Sequence, residues 1–257
     1  MGDLLVNQEG KVLQITLNRP DSLNAFSRDM IEGLTEIVRQ AEEREDVRVL
    51  VLSGSGRSFS AGGDVKTMGE VSPTDVYNHV GKLNECILAM QACSKPIIAV
   101  VHGFAAVAGF NLALACDLIV AAEDSRFVLS FAQVGLISDG GGSYFLPRLV
   151  GSQLAKEWLF LAEPISAQKL HELGVVNRIV PLSNLQTEAM TLAQRLAAGP
   201  GRAYGMMKRI VNSSANSSLV DVLEAERTTQ AMMVTTADHL EGVRAFREKR
   251  RPSFQGE

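Results

Sequence analysis

Residues 94–116, SKPIIAVVHGFAAVAGFNLALAC, constrain this chain more than any other stretch. The apolar, largely β-branched run Ile97 to Val101 follows Pro96 and breaks at His102-Gly103. Small residues then lead from Phe104 to Gly109, and a buried helical pattern continues to Cys116. A short apolar run bounded by turn residues reads as a buried strand, so the segment is strand, tight turn and helix. Small residues at such a turn let backbone approach a ligand, and the first amides of a helix have no intrahelical acceptor. With the positive end of the helix dipole behind them, those amides suit an oxygen that carries negative charge. The stretch is about as long as a bilayer is thick. His102, Asn111 and the glycines interrupt it, however, and no partner segment flanked by Lys or Arg occurs elsewhere, so it reads as soluble core.

Around this centre the pattern is strand, crossover helix, strand, which specifies an α/β fold with parallel pairing. Lys11 to Leu17 alternates as a half-buried strand and ends in the turn cluster Asn18-Arg19-Pro20-Asp21. Ser27 caps a helix whose apolar positions run Met30, Ile31, Leu34, Ile37, Val38 and Ala41. Val47 to Leu52 is a strand followed by the glycine-bearing stretch 53–64, and Pro73 opens a helix to about Cys93. Asp117 to Ala122 and Arg126 to Leu129 are further strands, and Ser130 to Gly142 is irregular. Beyond it Ser152, Ser166 and Ser183 cap helices, Gly174 ends one, and Val175 to Val180 is a late strand. From Tyr204 only helical patterns remain, so a boundary falls near Gly199-Pro200-Gly201 between an α/β core, residues 1–198, and a helical region, residues 199–257.

Composition excludes several function classes. A chain of 257 residues with 46% hydrophobic content buries a sizeable core. Its net charge of −4 offers no basic surplus for nucleic acid. Cys86, Cys93 and Cys116 lack metal or redox spacing and read as reduced core thiols, as in a cytoplasmic protein. The start, MGDLLVNQEG, has no apolar targeting core. No Gly-Lys-Ser/Thr phosphate loop, G-x-S-x-G elbow or zinc-peptidase motif occurs. What remains is backbone N–H at two glycine-bearing strand ends, Ser60-Ala-Gly-Gly-Asp64 and Val107-Ala-Gly-Phe-Asn111. Taken alone, such glycines are as well explained by a simple turn.

Four segments, in order, resemble the crotonase (enoyl-CoA hydratase/isomerase) superfamily: Leu17 to Phe26, Arg57 to Asp64, Pro96 to Asp117 and Glu241 to Phe254. The resemblance implies a crotonase-like spiral of ββα turns, with a helical C-terminal region that serves oligomerisation and acts as a lid. It also implies a homotrimer or dimer of trimers, and no cofactor beyond the coenzyme A carried by an acyl-CoA thioester substrate. By the same resemblance the amides of Gly63 and Ala108 would receive the thioester oxygen, while Leu23, Ala25, Ala61, Asp64 and Val65 would lie along the CoA. The two glutamates that family hydratases use to activate water fall at Asn111 and Phe131, and neither residue can act as a base. Asp139, in Gly135 to Tyr144, stands where several family isomerases carry their acid, and Arg126 to Arg148 is most similar to the ring-epoxide isomerases of phenylacetate degradation. Read from its local sequence alone, Asp139 is an N-cap for the helix through Leu149.

These residues lead to an expected isomerase that moves a 3-enoyl double bond to the 2-position, with Asp139 as proton shuttle in surroundings made apolar by Phe104, Phe131 and Leu136. A ring epoxide is a second substrate class within that reading. Its alternatives are a hydratase of the same superfamily and a non-catalytic acyl-CoA-binding or scaffold subunit. Asn111 would touch the acyl group or be satisfied within its helix. His102 and His79 read as structural, and Met206, Met207, Met232 and Met233 as apolar filler. Lys249, Arg250 and Arg251, like Arg28 and Lys66, either reach CoA phosphates or form a solvated face.

Overall fold

The computed structural model describes residues 2–63 and 72–256. The chain opens with the antiparallel pair β1 (Leu4–Glu9) and β2 (Val12–Leu17), then α1 (Arg28–Glu43) and β3 (Val49–Gly54). Next come α2 (Pro73–Ala92), β4 (Ile97–Val101), β5 (Phe104–Ala106), α3 (Ala108–Leu114), β6 (Leu118–Ala122) and β7 (Arg126–Val128). They are followed by α4 (Gly142–Val150), α5 (Ser152–Leu161), β8 (Ile165–Ser166), α6 (Ala167–Glu172), β9 (Arg178–Val180) and α7 (Leu185–Ala197). Three helices, α8 (Gly201–Ser214), α9 (Leu219–Met233) and α10 (Ala237–Arg247), complete the order.

The main sheet runs β1-β2-β3-β4-β6-β9 and is parallel from β2 onward. Where both of its faces are covered, in β3, β4 and β6, the strands are near-continuous apolar runs rather than alternating. Leu50, Leu52, Ile97, Ala99 and Val101 face α1 and α2, whereas Val49, Val51, Ile98 and Val100 meet Leu185, Ala189 and Leu192 of α7. The smaller sheet β5-β7-β8 lies beyond the ends of β4 and β6, where the chain turns at His102-Gly103 and Glu123-Asp124.

Helix starts follow local chemistry. Ser27 accepts from Met30 N at 3.0 Å, Ser72 and Asp75 form a capping box, and Ser166 accepts from Lys169 N at 3.1 Å. Four expectations are corrected. Val47 is buried but its N–H bonds to Arg44 O, so β3 begins at Val49. Val175 and Val176 bond back to Leu170 O, which leaves only Arg178–Val180 as a strand. Ser152 is the first residue of α5, behind Gly151, and Ser183 bonds to the Asn184 side chain rather than capping α7. The N-terminal strand β1, which the alternation of its neighbour did not announce, is mostly exposed at the sheet edge.

Gly199 and Pro200 separate α7 from α8. Lys208 pins α8 to the core: its Nζ lies 2.8 Å from Asp117 Oδ2 and donates to Met90 O and Lys95 O. All three cysteines are free and buried, and burial pushes Cys86 and Cys93 up to about 11, so neither is a reactive thiolate. Among the described residues no helix is long and apolar enough to cross a membrane.

Candidate active site

The two glycine-bearing segments of the sequence meet side by side. Ser60 N donates to Phe104 O at 3.1 Å and Ala106 N donates to Ser60 O at 2.8 Å, so residues 60–63 run along β5 toward the start of α3. Ser60 Oγ donates to Asn24 O and accepts from Gly62 N, which holds the turn from inside. Gly62 has φ +79°, and a Cβ there would lie 2.8 Å from Ala108 N, so only glycine allows this approach. Gly63 and Ala108 are thereby brought to one place. Ala108 is the first residue of α3, and its N–H has no intrahelical acceptor.

The residue before it carries strain. Val107 has φ 55° and ψ −125°, a region that β-branched side chains rarely enter. Its N–H donates to Val128 O at 2.8 Å, so β7 holds the turn in place. Such backbone outliers cost about 1–3 kcal/mol each and cluster at functional sites.

In front of the turn lies a cavity of about 770 Å³. Gly63 and Val107 form one end, and the 130–144 segment forms a wall with Phe131, Leu136, Ile137 and Asp139. The lining also includes a stripe of α2, made of Pro73, Val76, Tyr77, Val80, Gly81 and Asn84. That helix therefore divides its apolar residues, with Leu83, Cys86, Ile87 and Met90 going to the core and Val76 and Val80 to the cavity. The helical spacing of Val76, Val80 and Asn84 was visible in the sequence, but nothing local tells a cavity stripe from a core stripe.

Among the described residues that line the cavity, Asp139 is the one acid. Its Oδ1 is buried and has no hydrogen-bond partner there. Burial pushes its carboxyl up to about 6, opposed only by its own backbone amide. The cap expected from local sequence is not formed, because Gly141 occupies the N-cap of α4 and no side chain bonds to that helix start. Instead the Asp139 backbone carbonyl accepts from Asn111 Nδ2 at 2.7 Å, and the same nitrogen donates to Ser138 Oγ at 3.0 Å. Asn111 is wholly buried in α3, and its own Oδ1 has no donor among the described residues. Neither contact of Nδ2 was legible in the sequence, because residues 111 and 138–139 lie on separate elements.

Of the other candidates, Phe131 is buried in the cavity wall and Leu136 lines it half-exposed, but Phe104 is exposed and lies outside it, which corrects its expected part in shielding Asp139. Ala61 belongs to the 60–63 turn and its N–H donates to Leu23 O at 2.8 Å, while Phe26 N donates to Gly62 O, so Leu23 and Ala25 lie beside that turn; none of the three lines the cavity. Asp64, Val65 and Lys66 lie outside the described residues. His102 Nε2 is 3.0 Å from Gly56 O, a structural contact, and His79 is on the exposed side of α2. Arg28 pairs with Glu32, and Arg250 pairs with Glu241 and Glu248, so both cations are engaged within the chain.

The family model for enoyl-CoA hydratase/isomerase matches residues 7–257, and the chain belongs to that family, the crotonase superfamily. Among its relatives, the 1,2-epoxyphenylacetyl-CoA isomerase of Escherichia coli is 37% identical over 98% of both chains. The 2,3-dehydroadipyl-CoA hydratase of the same organism is 33% identical over the full length of both. A crystal structure of an enoyl-CoA hydratase from Mycobacterium smegmatis superposes with a TM-score of 0.94 at 36% identity, covering 99% of both chains. The expected crotonase-type α/β architecture is therefore the observed one.

Proposed function

We propose that the chain is an acyl-CoA isomerase that shifts a carbon–carbon double bond from the 3- to the 2-position of a thioester. The observation that carries this reading is the solitary acid: Asp139 is the one carboxylate among the described lining residues, and burial raises its carboxyl to about 6. At the two positions of the hydratase glutamates the chain has Asn111 and Phe131, which removes the paired carboxylates that water activation needs.

In this mechanism the thioester oxygen accepts hydrogen bonds from the N–H groups of Gly63 and Ala108. Ionised Asp139 removes a C2 proton, the C–H electron pair enters the C1–C2 bond, and the carbonyl electrons move to the oxygen, giving a dienolate. Protonated Asp139 then delivers the same proton to C4, the C3–C4 double bond becomes C2–C3, and the carbonyl re-forms, so the substrate neither gains nor loses atoms. Each oxyanion donor contributes about 10²–10³ in rate, and the base about 10²–10⁴. The same enolate-stabilising site suits a strained ring-epoxide thioester, the substrate class named for the 37% identical relative.

The test is to mix the protein with 3-enoyl-CoA and follow the ultraviolet absorbance of the conjugated thioester. A rise with wild type and none with Asp139→Asn is expected, with CoA-thioester binding kept. Full activity in Asp139→Asn would sink the assignment, and water addition to 2-enoyl-CoA faster than isomerisation would replace it with a hydratase. An acyl-CoA-binding subunit without activity would show binding and no absorbance change at any chain length.

A further inference from the structure

Asn111 is placed where it can act on Asp139 without touching substrate. Its Nδ2 is the shared donor to the Asp139 carbonyl, at 2.7 Å, and to Ser138 Oγ, at 3.0 Å, and it comes from a helix that is buried along its whole length. The amide orientation is fixed by chemistry, since a backbone carbonyl can only accept and the carboxamide must turn its nitrogen toward it. The remaining main-chain tie at this turn is Gly142 N to Asp139 O, at 3.2 Å. The carboxamide is also packed against the start of α4: a Cβ at Gly142 would lie 2.4 Å from Asn111 Oδ1 and 2.4 Å from Ser138 Oγ.

We infer that Asn111 is a positioning residue, whose carboxamide locks the Ser138–Asp139 turn so that the Asp139 carboxyl is held inside the cavity at the reacting carbons. The inference rests on the isomerase reading above.

Around Asp139 the described lining residues contribute no Lys, Arg, His or Glu, and only Tyr77 and Tyr144 are otherwise ionisable. A change in its titration therefore reports on its own burial. The experiment compares wild type with Asn111→Ala, and with Asn111→Leu, which keeps the branched shape and supplies no donor should the alanine variant not fold. The readouts are kcat and KM for 3-enoyl-CoA, the pH dependence of kcat, and a ¹³C NMR titration of the Asp139 carboxyl, assigned by its loss in Asp139→Asn.

Expected is a fall in kcat of about 10- to 100-fold, the range for a small misplacement of a reacting group, with KM little changed. The carboxyl titration should move from near 6 toward the ordinary carboxylate range as the freed turn admits water. Unchanged kcat and an unchanged titration in folded Asn111→Ala or Asn111→Leu would overturn the positioning role, and if Asp139→Asn were inactive in the same series the isomerase reading would still stand. Full activity in Asp139→Asn would overturn that reading, and this inference with it.

Discussion

Replacing Asp139 by Asn should destroy activity and, at neutral pH, stabilise the fold. Burial holds the Asp139 carboxyl at about 6 against an ordinary 3.8. The native state therefore binds this proton more tightly than the unfolded chain does. Stability from the neutral carboxyl is fully present below about pH 4, is lost as the pH climbs to about 6, and stays lost above it. At about 1.36 kcal/mol per pH unit, the gap of about two units costs the native state about 3 kcal/mol at pH 8. A carboxamide in the same unpartnered spot never ionises, but it buries its own polar group at about 1 kcal/mol. Asp139→Asn should thus be about 2 kcal/mol more stable than wild type at pH 8 and about 1 kcal/mol less stable near pH 4. For a chain of this length that swing corresponds to roughly 6–12 °C in relative Tm. The assay is a set of thermal or urea unfolding curves for both proteins across that pH range. A stability difference that does not vary with pH, or a variant that is less stable throughout, would refute the claim that the acid is held desolvated.

Further perturbations probe other parts of the site. For wild type, kcat should fall about tenfold for each pH unit below about 6, because the base must be ionised to start; a flat profile down to pH 5 would contradict it. Gly142→Ala should cost about 2 kcal/mol or more and most of the activity, since its Cβ would press on the Asn111 carboxamide; unfolding curves and isomerase rates read both. Val107→Gly should leave stability within about 1 kcal/mol of wild type, because relief of the backbone outlier offsets the lost side chain; a loss beyond about 3 kcal/mol in urea unfolding would show the conformation to be unstrained. Lys208→Met should cost about 3 kcal/mol, because it leaves partly buried Asp117 without its cation while Ile97 N still donates to it; a urea midpoint equal to wild type would deny the pin between α8 and the core.

The legibility of this chain follows the range of the interactions concerned. Ser27 and Ser166 were readable because a cap is made within three residues, whereas Ser152 and Ser183 share the same residue type but lie one position away from where the chain turns. Runs such as Ile97 to Val101 announced themselves because both faces of the sheet are covered, yet the same apolar character misled at Val175, whose burial comes from the turn after α6. Glycine signalled the approach of residues 60–63 to α3, but Val107, held at φ 55° by a bond to β7, carries no mark in its residue type. The acid at 139 was legible from its place in a family pattern, while part of its cavity is lined by α2, which reaches it from some 60 residues upstream. What sequence could least supply is the connection between Asn111 and Asp139, which are 28 residues apart and joined by a 2.7 Å hydrogen bond. The Asp139 carbonyl is tied twice, by Gly142 N within its own turn and by a carboxamide from α3, so removal of the second tie should misplace the acid even though residue 139 itself is unchanged.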